Sequence, residues 1–136
     1  MTAEEIEQFI RDQFPGAAGF SRIEALGEGT IRLRVPYRDR YLRPGGTLSG
    51  PTLMTLADTA LYYLLLAKLG PLHMLTTNLN IHFLHAPAAK DLLAEGRLLR
   101  VGSRSAVGDV LMYSDGSPDP VAQATVSYAV IRSSAP

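Results

Sequence analysis

The sequence predicts an α+β fold in which a curled antiparallel sheet of about six strands surrounds one long helix. Two observations support this prediction. A long apolar run is bounded by Gly50-Pro51 and Gly70-Pro71, and the segments before and after it are rich in β-forming residues, partly at period two. A single apolar helix can bury its surface against such a sheet only if the sheet curls around it. By its length the chain is predicted to form one domain, residues 1–136.

The elements before the long helix follow from local patterns. Thr2 and Glu5 form a capping-box pattern that predicts a short first helix, which ends near Phe14. Period-two alternation then predicts two strands, 20–26 and 30–35, joined as a hairpin. A loop rich in proline and glycine separates this hairpin from the long helix.

The long helix has readable ends. Pro51 suits the first helical position because its fixed φ and missing N–H cost nothing there, and Gly70 followed by Pro71 ends the helix. Four more strands are predicted after it, from the enrichment in β-forming residues. Their ranges are 73–84, 92–101, 105–113 and 121–131.

Asp58 is the one acidic residue in the long helix. A helical wheel at ~100° per residue places it in an arc of roughly 140° together with Thr and Tyr residues, opposite the leucines and alanines. Such a face resembles the lining of a cleft or an interface more than a solvated surface. The plainer alternative is that Asp58 lies on a partly solvated helix face without any function.

Composition excludes several classes of function. The chain has 13 basic and 13 acidic residues and no cysteine, so bulk charge indicates no nucleic-acid partner, and disulfides, thiolate nucleophiles and cysteine-based zinc sites are ruled out. No amino-terminal pattern of signal type is present, so a cytoplasmic location is expected. The long helix does not predict a membrane span, because its apolar run is short and contains an acid.

Four ordered blocks resemble a known family. They are LSGPTLMTLADTALYY, TTNLNIHFLHAP, LLAEGRLLRVGSRSAVGDVLMY and VAQATVSYAV. Together they are similar to the hotdog-fold acyl-CoA thioesterases of the phenylacetate-degradation (PaaI-like) type, over nearly the whole chain. The resemblance implies a hotdog fold: a curled sheet around one central helix.

The resemblance also implies roles for individual residues. Asp58 occupies the place of the helical acid that acts as nucleophile or as general base toward water. Gly50 matches the residue whose backbone N–H holds the oxyanion. This pairing is chemically reasonable, because an oriented N–H at a helix amino terminus stabilises negative charge that develops in the transition state.

The sequence departs from the family pattern beside Gly50. Ser49 replaces the histidine of the His-Gly-Gly motif, Pro51 replaces its second glycine, and Arg43 replaces an upstream asparagine. The oxyanion site then consists of the Gly50 N–H with the Ser49 hydroxyl as a candidate second donor. Loss of one donor typically costs about 10²–10³ in rate.

Four further residues are candidates for the site. Thr76 matches a hydroxyl that orients water in relatives, although an ordinary β-forming threonine is the plainer interpretation. Arg97, Arg100 and Arg104 lie close together in sequence and could bind the phosphates of coenzyme A, or could simply be exposed strand-end arginines.

No metal site is expected, because the three histidines lack an accompanying cluster of ligands. No paired histidine and acid of the dehydratase type is found either. The asparagines in TTNLN lie on the strand that forms the dimer seam in related folds, so a role in subunit contact is favoured for them.

The sequence as a whole therefore predicts an acyl-CoA thioesterase that needs no cofactor beyond the coenzyme A of its substrate. We expect a homodimer or a dimer of dimers, with Asp58 of one chain facing Gly50 of the other, because pairing two subunits covers an open sheet edge. The alternative is a non-catalytic hotdog protein that binds acyl-CoA or another small ligand.

Overall fold

A computed structural model describes residues 1–131 of the chain, so residues 132–136 of the predicted domain lie outside the described part. It has the predicted order of elements: one helix, two strands, the long helix and four strands. The helices are α1 (Ala3–Gln13) and α2 (Gly50–Leu69). The strands are β1 (Arg22–Gly27), β2 (Thr30–Val35), β3 (Leu42–Arg43), β4 (Thr47–Leu48), β5 (His73–Phe83), β6 (Leu92–Val101), β7 (Ser105–Ser114) and β8 (Pro120–Ile131).

The main sheet has six strands in the order β1-β2-β6-β7-β8-β5, and every neighbouring pair is antiparallel. Helix α2 packs against five of these strands, which requires the sheet to curl around it. The predicted α+β hotdog architecture is confirmed. The short ribbon of β3 and β4, just before α2, was not predicted, and strands of two residues leave no periodicity to detect.

Helix α2 packs closely against the sheet at two glycines, Gly96 on β6 and Gly108 on β7. An added Cβ at Gly96 would lie 3.3 Å from Leu64 Cδ1, and one at Gly108 would overlap Leu61 Cδ1. Alanine at Gly108 would also meet the Arg97 carbonyl oxygen at 2.9 Å. The missing side chains therefore bring the helix close enough to bury its leucines, which makes α2 a rigid support for the residues it carries.

Helix α2 is long and apolar enough to cross a membrane by length and composition alone. In the folded chain most of its hydrophobic residues are buried, and half of the twenty-residue helix is buried in all. The fold therefore accounts for the apolar character of this segment, as a core helix does.

A cluster of ion pairs ties the loop that precedes α2 to the sheet. Arg34 contacts Glu24 at 2.6 Å and Asp91 at 3.1 Å, and Asp91 also accepts the Tyr37 backbone N–H at 2.7 Å. The Tyr37 N–H and then the Arg34 guanidinium lower the pKa of Asp91. The loop that leads to the start of α2 is thereby anchored at its beginning.

Strand β5 forms one edge of the main sheet, paired on one side with β8. Most of its eleven residues are exposed, including Leu75 and Phe83. A long exposed edge strand that carries large apolar side chains invites pairing with another strand.

Candidate active site

Asp58 lies near the middle of α2, half-buried, on the side of the helix that faces β5 and β8. Its Oδ1 accepts two hydrogen bonds, from the Thr76 hydroxyl at 2.7 Å and from the Tyr128 hydroxyl at 2.6 Å. These donors stabilise a carboxylate that apolar surroundings would otherwise penalise. Asp58 is therefore a partly solvated carboxylate with two hydroxyl partners, and its catalytic role stays a prediction.

The two donors are directly opposite each other on neighbouring strands, because Thr76 of β5 pairs with Tyr128 of β8. A bulge immediately after Thr76 shifts the register of β5 between Thr76 and Asn78. Thr76 and Leu79 thereby both face α2, although strict alternation would put them on opposite faces. Thr76 faces α2 in regular alternation with the buried Met74, and the bulge turns Leu79 to the same side, which adds an apolar wall beside the hydroxyl.

A cavity of about 540 Å³ opens beside Asp58, within the size range of small-molecule sites. Its walls are mostly apolar and aromatic: Phe14 of the segment after α1, Met54 and Tyr62 of α2, and Leu75 of β5 contribute. Asp58 is the one charged side chain among the described residues that line it. A single carboxylate in an apolar cavity can act on a polar bond while the walls hold an apolar group.

Gly50 is the first residue of α2, and its N–H therefore has no carbonyl partner within the helix. It lines a second cavity of about 450 Å³ with Arg43, Phe83 and His85. A Cβ added at Gly50 would contact the Phe83 ring at 3.4 Å, which is an ordinary van der Waals distance. The N–H sits at the positive end of the helix dipole, which favours an anion.

Ser49 is the N-cap of α2. Its Oγ accepts the Thr52 N–H at 3.4 Å and lies 2.8 Å from the Thr52 hydroxyl, with which it shares a hydrogen bond. Ser49 is not among the residues that line the Gly50 cavity. Its hydroxyl therefore stabilises the start of the helix, and it has a proton to offer a ligand only when Thr52 is the donor of the shared bond.

Within one chain, Gly50 and Asp58 do not form a common site. They are eight residues apart on one helix, which is about 12 Å along its axis, and they line different cavities. A carbonyl group that touches one of them is out of reach of the other.

The three candidate arginines lie elsewhere on the chain. Arg97 is on the face of the sheet turned away from α2 and lies 3.7 Å from Asp109, while Arg100 and Arg104 are exposed near the turn between β6 and β7. None of the three lines the Asp58 cavity or the Gly50 cavity. Their role as phosphate ligands stays a prediction.

A third cavity, of about 480 Å³, lies around Arg97 on the outer face of the sheet. Its charged residues are already paired, Arg97 with Asp109 and Arg32 with Glu95. The histidines are dispersed, and residues 1–131 contain no group of three side chains that could hold a metal ion. Neither arrangement indicates a reactive centre.

Sequence reasoning missed Tyr128 and the wall formed by the end of α1. Tyr128 alternates with Val126 and Val130 on the buried face of β8, and a tyrosine in a buried position needs a partner for its hydroxyl. The sequence could therefore have predicted that the Tyr128 hydroxyl has a hydrogen-bond partner. The partner itself is on α2, seventy residues away, and only the tertiary fold identifies it. Phe14 lines the cavity because of the way α1 packs against the rest of the fold, and the sequence pattern of α1 does not specify that packing.

Comparisons with known proteins identify the family of the chain. The family model of the thioesterase superfamily matches residues 45–121, a range that includes Gly50, Asp58 and Thr76. A candidate esterase from Halobacterium salinarum is 31% identical over 121 residues, covering 81% of this chain and 80% of the relative.

Two solved structures are similar in fold. A candidate thioesterase from Silicibacter sp. TM1040 is 39% identical, with a TM-score of 0.91, and the match covers 97% of this chain and 93% of that one. The E. coli PaaI protein of the phenylacetic acid degradation operon is 20% identical with a TM-score of 0.83, covering 96% and 94%, so it supports the fold alone. The chain therefore belongs to the thioesterase superfamily, as the resemblance predicted, and has the hotdog fold of its PaaI-like members.

Proposed function

We propose that this protein hydrolyses acyl-CoA thioesters at a site formed between two copies of the chain. Asp58 of one copy is the nucleophile or the general base, and the Gly50 N–H of the other copy holds the oxyanion. The observation that carries the proposal is the Asp58 carboxylate, held by two hydroxyl donors at the edge of an apolar cavity. Membership of the thioesterase superfamily supplies the class of reaction.

Both roles of Asp58 give a balanced reaction. As a base, Asp58 takes a proton from water while the water oxygen bonds to the thioester carbon, and the carbonyl oxygen becomes an oxyanion at Gly50. The intermediate then collapses, the carbon–sulfur bond breaks, and the thiolate of coenzyme A recovers the proton. As a nucleophile, Asp58 displaces the thiolate to form a mixed anhydride, which water hydrolyses.

The position of the two cavities along β5 supports a site shared between subunits. Leu75 and Thr76, early in β5, line the Asp58 cavity, whereas Phe83 at its end lines the Gly50 cavity. Antiparallel pairing of two β5 strands about a two-fold axis near Asn80 brings the early part of one strand beside the end of the other. The Asp58 cavity of each copy then adjoins the Gly50 cavity of its partner.

Exposed apolar side chains are concentrated where this pairing would cover them. Among the described residues seven large hydrophobic side chains are exposed, and five of them, 42% to 55% exposed, line one of the two cavities. These five are Phe14, Met54, Leu75, Phe83 and Leu84. A second copy on this surface would remove them from water, which stabilises the pair.

The arginines near the turn between β6 and β7 are proposed to bind the phosphates of coenzyme A. Arg100 and Arg104 are exposed, and the structure records no acidic partner for either within residues 1–131. Arg97 is a weaker member of the group because Asp109 partly neutralises it. Guanidinium groups suit phosphates because they donate in bidentate geometry and stay charged.

The test is a panel of short, medium and aromatic acyl-CoAs, with release of coenzyme A followed by a thiol reagent. Because the chain has no cysteine, the protein contributes no thiol background. We expect wild-type turnover, and a loss of at least about 10²-fold in Asp58→Asn, with thermal stability and oligomeric state unchanged. The matched control is Asp119→Asn, at an exposed carboxylate in the segment between β7 and β8 that lines neither cavity.

Two outcomes would contradict the proposal. Full activity in Asp58→Asn would show that the carboxylate is not part of the chemistry. Saturable binding of acyl-CoA without thiol release by the wild type would instead favour the non-catalytic binding protein. The observation that motivates this alternative is the replacement of the motif histidine by Ser49.

A further inference from the structure

The two oxygens of the Asp58 carboxylate are in different environments. Oδ1 accepts the Thr76 hydroxyl at 2.7 Å and the Tyr128 hydroxyl at 2.6 Å, whereas no hydrogen bond to Oδ2 is found within residues 1–131. A carboxylate without such contacts can rotate about its last torsion, which has broad minima, and exchange its two oxygens. Two short hydrogen bonds to one oxygen prevent that exchange.

Tyr128 is well suited to be a permanent donor. Its side chain is 4% exposed, and its ring stacks on Tyr62 with centroids 6.2 Å apart and planes 11° apart. Burial, and next the hydrogen bond to Asp58, raise the pKa of the Tyr128 phenol. The phenol therefore keeps its proton throughout the range in which thioesters are stable, and it donates that proton to Asp58.

The two threonine hydroxyls on the same face of α2 do not compete for Oδ2. Thr55 donates to the Pro51 carbonyl at 3.0 Å, and Thr59 donates to the Thr55 carbonyl at 2.7 Å. Because these hydroxyls bond to the helix backbone, they are not available to the carboxylate. Oδ2 is thus left for a water molecule or a thioester.

We infer that Tyr128 is a positioning residue for the proposed reaction: with Thr76 it engages Oδ1 and leaves Oδ2 as the oxygen that acts on water or on the thioester carbon. The inference rests on the proposed function. Its role differs from substrate binding, because the Tyr128 hydroxyl is occupied by Asp58. Loss of the hydroxyl should therefore reduce kcat and leave KM nearly unchanged.

The experiment compares Tyr128→Phe with Tyr113→Phe. The first substitution removes the hydroxyl and keeps the ring that stacks on Tyr62, and the second removes a hydroxyl on the outer face of the sheet, away from both cavities. We expect kcat to fall about 10- to 100-fold in Tyr128→Phe, as for a lost hydrogen bond to a charged group, with KM within about twofold. Tyr113→Phe should match the wild type.

A second measurement does not depend on turnover. In protein labelled with carboxyl-¹³C aspartate, the Asp58 resonance is identified by its loss in Asp58→Asn. It should move in Tyr128→Phe and stay in place in Tyr113→Phe, because only the first variant changes the hydrogen bonds of that carboxylate.

The outcomes separate the two proposals. Unchanged kcat in Tyr128→Phe, or an unmoved Asp58 resonance, overturns the positioning role while the thioesterase proposal stands. A loss that appears in KM alone also overturns it, because it would mean a role in binding. Absence of wild-type turnover overturns the proposed function, and the resonance then still reports whether Tyr128 holds the carboxylate.

Discussion

The Gly50 N–H can be removed with little change to the helix that carries it. Gly50 is the first residue of α2, a position where proline is favoured, and Ser49 before it has φ −74° and ψ 150°, the extended conformation that a residue before proline requires. Gly50→Pro therefore removes the donor at a position that suits proline, and the Cβ that it adds before Pro51 is added by Gly50→Ala as well. Gly50→Ala is the matched control, because it keeps the N–H and its Cβ makes only an ordinary contact with Phe83, at 3.4 Å.

The size of the effect follows from the loss of one oxyanion donor. Such a loss costs about 10²–10³ in kcat, or roughly 3–4 kcal/mol of transition-state stabilisation. We expect that fall in Gly50→Pro and a change within about threefold in Gly50→Ala, measured as steady-state thiol release, with circular dichroism to confirm that helix content is retained. Equal activity of the two variants, both folded, would refute the role of the N–H.

Three further predictions concern the fold and the interface. Gly108→Ala should lower stability by about 1–3 kcal/mol in thermal unfolding, because its Cβ would meet Leu61; unchanged stability would contradict the close packing. Asp91 has a lowered pKa, so its carboxylate stabilises the fold above about pH 4, and this contribution is lost as pH falls below that value. The difference in Tm between wild type and Asp91→Asn should therefore shrink on acidification. A difference that stays constant would disprove this. In this cysteine-free chain Asn80→Cys should form a disulfide-linked dimer on oxidation whereas Leu99→Cys should not; failure of Asn80→Cys would exclude a two-fold axis at that residue.

Most of the fold could be predicted from the sequence because its signals are local. The bounds of β2 and β6 agree with the prediction, since each strand begins and ends at a clear change of pattern. The first strand was predicted to start at residue 20, but β1 starts at Arg22. The preceding residues include Gly19 at positive φ, where the chain turns before the sheet begins.

The site was only partly predictable. Asp58 could be found because an acid in an apolar helix needs an explanation, and Thr76 came from the resemblance. The contacts of Thr76 and Tyr128 with Asp58 depend on the register in which β5 pairs with β8, because that register puts the two residues opposite each other. Both are consequences of register between distant strands, which single-sequence patterns do not encode.

The claim that two chains share each site is the centre of the account, and mixed dimers test it most directly. Asp58→Asn and Gly50→Pro each disable both sites of a homodimer, but a heterodimer of the two variants has one site with both Asp58 and Gly50 intact. Random mixing by co-expression or refolding should then restore about a quarter of wild-type activity per chain, since half of the dimers are mixed and each has one intact site. Activity that remains at the level of the separate variants, with mixed dimers verified by mass spectrometry, would contradict a site shared between subunits.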